Sequence, residues 1–266
     1  GVNVPDGFAT TSDAYRYFLK SNNLDKQIEK ILDEYNSDRI ELDEAGRTIR
    51  QLFQKSTFPI ALAESIQHAY EELSRKFAPD SHNAPHIYCV DVAVRSSATA
   101  EDLPNASFAG QQETYLNIMG REALMNACKN CFASLFTNRA IAYREKMGFD
   151  HMKVALSVGV QKMVRADKSS SGVMFTVDTE TGFPNALIIN GSWGLGENVV
   201  KGTVNPDQFY VFKPNLDNHQ KNPILERLDV RTVVGESPGR HRRSERRIER
   251  DGQIHDDCSI VAALTT

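Results

Sequence analysis

The sequence predicts an α+β fold in two lobes, and three observations carry that prediction. Apolar residues at helical spacing run almost without interruption from residue 12 to residue 77. Tyr88, Val90, Val92 and Val94 then alternate with period two, as a half-buried strand does. From Val154 onward, strand-like runs are separated by glycine-rich turns. A length of 266 residues suits one large domain or two small ones. With 25% charged and 40% hydrophobic residues, the chain has the composition of an ordinary soluble globular protein. A formal net charge of −4 argues against a nucleic-acid partner. No apolar run approaches the roughly eighteen residues of a membrane span. The start, Gly1-Val-Asn-Val-Pro-Asp-Gly7, has neither the basic residues nor the apolar core of a signal peptide, so a cytoplasmic location is expected. The first residue is not Met, and the chain is expected to begin inside a longer protein.

Thr11 or Ser12 can cap a first helix to about Lys20, with Tyr15, Phe18 and Leu19 as its apolar stripe. A second helix follows Asn23, carrying Leu24, Ile28, Ile31, Leu32 and Tyr35. A third is expected from about Glu41 to Lys55 and a fourth from Pro59 to Phe77, proline being favourable in a first helical turn. Ala78 to Pro85 reads as a loop. Gly120 to Met147 is helical, in one or two pieces, with Leu124, Ala127, Cys128, Cys131, Phe132 and Leu135 facing inward. Cys128-Lys-Asn-Cys131 has a spacing used by zinc and redox sites. No second ligand pair follows it, and the other cysteines, Cys89 and Cys258, lie far away in sequence, so both thiols are read as small core residues. Arg139 and Arg144, beyond that stripe, read as a solvent-facing basic pair. Val154 to Val164 is expected to be an edge strand that returns, through a turn at Lys168–Gly172, along Val173–Asp178 in a hairpin-like unit. Ala186–Asn190 is a further strand, followed by Gly191-Ser-Trp-Gly194-Leu-Gly196-Glu197. That spacing is not the dinucleotide fingerprint, and alone it is a turn carrying an exposed acid.

The chemistry concentrates in VAVRSSATAEDLPNASFAGQQETYLN, residues 92–117, read as strand, polar loop and strand. Arg95 stands at the end of the first strand, where a guanidinium can present a planar fork of donors to a phosphate. The small and hydroxylated residues after it let backbone N–H groups approach an anion, and Gly110 allows a tight turn. An ordinary surface loop with Arg95 in a salt bridge fits the same residues.

This run resembles the nucleotide-site loop of the phosphoenolpyruvate synthase and pyruvate phosphate dikinase family, whose ATP domain is shared by rifampicin phosphotransferases. MFTVDTETGF and GLGENVVKGTVNPDQFYVFKP are similar to the same family, phosphoenolpyruvate synthase above all. The resemblance implies an ATP-grasp-like two-lobed nucleotide-binding domain, incomplete at both ends. Residues 1–153 would form the N-terminal lobe with a helical insert, 154–236 the second lobe, and 237–266 a divergent, disordered tail. It implies ATP and Mg²⁺ as cofactors. Arg95, Gly110, Thr114 and Gln161 would be nucleotide contacts, and Met163, Val164, Glu197 and Arg139 a second group. Gln161 to Val164 would lie along the adenine, offering one backbone donor and one acceptor. The implied parent reaction converts ATP, pyruvate and water to AMP, phosphoenolpyruvate and phosphate through a histidine on another domain. None of the seven histidines here stands in a sequence like that phosphorylated one. Pyruvate would bind only through further domains, as would any homodimer of the parent. No metal ligands are assigned in this chain, since the expected ones would lie beyond it. The chain alone is therefore expected not to turn over. The alternatives are the ATP domain of an antibiotic phosphotransferase and a non-catalytic remnant.

After Glu236 the resemblance stops, and Ser237 to Asp251 is arginine-rich without apolar periodicity. A shifted reading frame would produce such a change. Sequencing the gene across codons 230–266 is expected to find an alternative frame that restores the family pattern; its absence would refute the shift.

Overall fold

The structure, a computed structural model, describes residues 3–78, 89–98, 102–103, 106–107, 113–218, 221–228 and 261–263. Gly110 and most of the tail lie outside the described residues. The chain divides into two compact units, Gly1–Val164 and Arg165–Thr266.

The first unit contains β1 (Gly7–Ala9), α1 (Ser12–Ser21), α2 (Leu24–Asn36), α3 (Leu42–Lys55) and α4 (Ile60–Lys76). There follow β2 (Val92–Ala98), β3 (Asp102–Leu103), β4 (Ala106–Ser107), β5 (Thr114–Ile118), α5 (Arg121–Ser134), α6 (Asn138–Met147) and β6 (Leu156–Lys162). Two of these helices start where a threonine side chain satisfies a free N–H group. Thr11 accepts the Ala14 N–H at 3.2 Å at the head of α1, and Thr137 accepts that of Ala140 at 3.2 Å at the head of α6. At the tail of α1, Asn22 donates to Phe18 O at 2.9 Å and to Thr57 O at 3.0 Å, tying the helix end to the α3–α4 connection.

Tyr15, Phe18, Phe53, Phe132 and Phe136 are buried together. The Tyr15 and Phe132 rings meet edge to face at 5.3 Å, and Phe53 lies 5.8 Å from Phe136. Burial of each such side chain contributes roughly 2–3 kcal/mol. Cys128 and Cys131 sit in the same core, where burial raises the Cys128 thiol to about 12 and pushes Cys131 up as well. They are free thiols, as their inward spacing predicts.

Beneath the helices lies a four-stranded antiparallel sheet in the order β1-β6-β2-β5. The Tyr70 hydroxyl of α4 donates to Val90 O at 2.7 Å and accepts the Gly120 N–H at 2.9 Å, so one side chain fixes the entry to β2 and the start of α5. Three expectations are corrected here. Strand β2 does not end at Arg95 but continues to Ala98, because β6 extends the ladder through Ser96↔Val158, Ser97↔Ser157 and Ala98↔Leu156. Strand β6 is an interior strand between β1 and β2, not an edge. It belongs to the unit Gly1–Val164, and it forms no hairpin with the strand that follows, which pairs with β8 instead.

The second unit holds β7 (Ser170–Phe175), β8 (Ala186–Trp193), α7 (Gly196–Val200), β9 (Asp207–Phe212), β10 (Ile224–Leu228) and β11 (Val261–Ala263). Its sheet runs β10-β9-β8-β7-β11, antiparallel except for the β11–β7 pair. Val261, Ala262 and Ala263 pair with Ser171, Gly172 and Val173. Among the described residues no helix is long and apolar enough to cross a membrane.

Arg144 departs most from its sequence reading. Arg139 is exposed, but Arg144 is fully buried. Its Nη2 donates to Leu135 O at 2.5 Å and its Nε to His151 Nδ1 at 2.9 Å. Its guanidinium lies 5.3 Å from the centre of the Phe136 ring. Nη1 is buried without a hydrogen-bond partner among the described residues. Burial draws the guanidinium down to about 10. Burial, and then the Arg144 charge, hold His151 at about 4.

Two outcomes follow for stability. Arg144→Ala is expected to lower the unfolding free energy by about 3 kcal/mol in urea titrations, and Arg144→Met by less, since it keeps the aliphatic volume. His151 stays neutral in the folded protein below its ordinary value of 6.5, so the unfolded chain binds the extra proton as pH falls. Stability should therefore drop between pH 7 and 5, by about 1 kcal/mol after solvent screening of the half-exposed ring, and His151→Asn should remove that part of the slope.

Candidate nucleotide-binding site

The sheet of the first unit has two unlike faces, because successive side chains on a strand point to opposite sides. Val92, Val94, Leu156, Val158 and Val160 are buried against the helices. The opposite face carries Ala93, Arg95 and Ser97 of β2, Ser157, Gly159 and Gln161 of β6, Gly7 and Ala9 of β1, and Thr114 of β5. It is a surface of small and polar residues with one long cation. Arg95 has Gly159 as its partner on one side and Thr114 on the other. It is exposed, and among the described residues its guanidinium has no carboxylate partner. Gln161 is half-buried and pairs with Ala93 and with Gly7. A Cβ at Gly7 would meet Val160 O at 2.2 Å, so only glycine lets β1 approach β6 there. Ser96 Oγ donates to Glu113 O at 3.3 Å and Ser157 Oγ to Ser97 O at 3.5 Å, both cross-links between neighbouring strands.

Of the residues expected at a nucleotide, Arg95, Thr114 and Gln161 thus share one face of one sheet. Met163 follows β6 and is largely buried, with its N–H donating to Asp91 O at 2.9 Å. The Lys162 N–H is likewise spent, on Asp6 O at 2.8 Å, and the Lys162 ammonium lies 4.9 Å from the centre of the Phe77 ring. A donor from this segment to a purine edge would therefore come from Val164, which is half-buried, or later. Arg139 stands, exposed, in the first turn of α6, a helix that packs on α3. Glu197 belongs to the second unit, in the first turn of α7, and pairs with Lys201 one turn on.

Gly159, the partner of Arg95 on β6, and Ser157, the partner of Ser97, carried no signal in the linear sequence. They lie about sixty positions from Arg95, and only strand pairing brings them beside it. Ser171 was likewise read inside a turn, although it stands in β7 with its hydroxyl on Gly194 O.

Residues 1–247 match the family described as pyruvate phosphate dikinase, AMP/ATP-binding domain. Phosphoenolpyruvate synthase of Helicobacter pylori is 56% identical over 228 residues, covering 85% of this chain and 27% of that protein. That of Aquifex aeolicus is 56% identical over 217 residues, covering 81% and 24%. That of Escherichia coli K12 is 52% identical over 217 residues, covering 81% and 26%. The chain spans about a quarter of the length of these relatives. By the match over nearly its whole length, the chain belongs to the pyruvate phosphate dikinase AMP/ATP-binding domain family.

Proposed function

We propose that this chain is the ATP-binding part of a phosphoenolpyruvate synthase, an ATP-grasp-like domain whose nucleotide phosphates lie over the Arg95 face of the first unit. The observation that carries this reading is the exposed Arg95 on a floor of small side chains, with no carboxylate among the described residues to neutralise it. The relatives quoted above favour phosphoenolpyruvate synthase over an antibiotic phosphotransferase.

In this reading the chain contributes position and charge, not a nucleophile. The Arg95 guanidinium takes phosphate oxygens in a planar fork, where its charge counts most as negative charge moves between phosphates in the transition state. Thr114 and Ser97 offer hydroxyls beside it, and Gly159 keeps the floor low enough for close approach. Gln161 borders the same face, Met163 and Val164 give apolar contact to the base, and Gly110 lends a backbone amide. Arg139 is a secondary phosphate contact. Mg²⁺ would accompany ATP and neutralise phosphate charge. Among the described residues no three His, Cys, Asp or Glu side chains converge on one point, so no step is assigned through the metal. The phosphoryl acceptor, a histidine, and the pyruvate site would belong to other parts of a cytoplasmic parent.

Calorimetry with ATP–Mg²⁺ on the 266-residue chain tests this. Saturable binding is expected, weakened at least about tenfold by Arg95→Ala, the loss typical of a charge-assisted hydrogen bond. Equal binding by both proteins, or none by the folded parent chain, would refute the assignment.

A further inference from the structure

Along the open face of the first unit's sheet, Arg95 has unlike neighbours on its two sides. Residues two apart on a strand share a face and stand about 7 Å from each other. One step back along β2 from the Arg95–Gly159 pair, Ala93 meets Gln161; one step on, Ser97 meets Ser157. The face thus runs from an amide, past a guanidinium beside a glycine, to a pair of hydroxyls. None of these six positions carries a carboxylate that would repel a phosphate. Ser97 is exposed and Ser157 half-buried. The Ser157 hydroxyl lies 3.5 Å from Ser97 O, at the outer limit of a hydrogen bond, so turning it toward another oxygen gives up little. Its backbone is well held. Leu156 and Val158, on either side of it, are buried in the core. Thr10 grips Val158 twice, its N–H donating to Val158 O at 2.9 Å and its Oγ1 accepting the Val158 N–H at 3.0 Å. Strand β6 is therefore fixed from both sides where it presents Ser157.

We propose that Ser157 is a specificity-determining residue of the nucleotide site: with Ser97, its hydroxyl takes oxygens of the phosphate farthest from the base, so that this end of the face distinguishes a nucleoside triphosphate from a diphosphate. This rests on the reading above, in which the phosphates lie over Arg95 and the base lies toward Gln161. A polyphosphate that starts at the Gln161 end and crosses Arg95 continues onto the Ser97–Ser157 pair, and a diphosphate stops short of it. A hydroxyl suits that position. It donates one hydrogen bond to an oxygen whose charge the neighbouring guanidinium already offsets, and it brings no further charge of its own. Alanine would keep the strand and lose the donor. Threonine would keep the donor on a residue at home in a strand.

The test is calorimetry on the 266-residue chain with ATP–Mg²⁺ and ADP–Mg²⁺ in parallel. The parent, Ser157→Ala, Ser157→Thr and Arg95→Ala are compared, with circular dichroism to verify the fold. Ser157→Ala is expected to weaken ATP binding about three- to tenfold, the size of one hydrogen bond, and to leave ADP affinity as in the parent. The preference for ATP over ADP falls by the same factor. Ser157→Thr should restore it, and Arg95→Ala should weaken both nucleotides. Unchanged ATP affinity in Ser157→Ala, or an equal loss for ATP and ADP, would overturn the proposal while a loss in Arg95→Ala keeps the reading beneath it. A preference that threonine fails to restore, in a variant with parental ADP affinity, would also overturn it, since the hydroxyl would then not be what reads the third phosphate. No binding by the folded parent, or parental binding by Arg95→Ala, would overturn the proposal together with the reading it rests on.

Discussion

The first unit depends on one pairing, the antiparallel ladder between Val92–Ala98 and Leu156–Lys162. Seven residues of each strand meet in unbroken register, and β1 and β5 attach on the outer sides. The register decides which side chains go inward. Val94 meets Val160 on the helical side, and Arg95 meets Gly159 on the other. A slip of one position would bring Arg95 into the aromatic core and put Val94 in water. The apolar interior and the cationic face are therefore two consequences of the same alignment.

The helical layer explains why that alignment is rigid. Tyr70 joins α4 to the entry of β2 and to the first residue before α5, and Ser74 Oγ accepts the Val90 N–H at 3.2 Å beside it. Arg144 does the corresponding work at the other end of α5, holding the Leu135 carbonyl and the His151 ring. A buried cation with one nitrogen unpartnered is a costly choice for fastening a helix end, and hydrophobic side chains often serve as well. What the guanidinium supplies is direction: a planar fork meets a carbonyl and a ring nitrogen at fixed angles, where an aliphatic side chain would not.

Local features were readable in the sequence and partner choice was not. The first four helices begin and end within about one residue of expectation, since Thr11, Asn23 and Pro59 mark their starts and the apolar spacing marks their inner faces. Arg95 and Thr114 could be linked because one motif contains both. Strand β6 was recognised as a strand and then read as an edge in a hairpin-like unit with the strand that follows. Its alternating residues from Leu156 to Val160 look the same whichever neighbour they pair with, and the nearest strand in sequence was not the one chosen. Arg144 was read as solvent-facing because its charge outweighed its helical position. Ser171 was hidden in a serine-rich run that local propensity reads as a turn.

The position of β6 also bears on how the chain acquires its fold. Strand β1 begins at Gly7, yet its partner residues are Gly159 to Gln161, at the far end of the unit. The helices between can form early from local contacts, but the sheet stays open until almost the whole unit has been synthesised. During that interval β2, with three consecutive apolar residues at its start, has no β6 to pair with. Until β6 is made, that edge of β2 stays open to mispairing, the hazard that unpaired strand edges carry during folding.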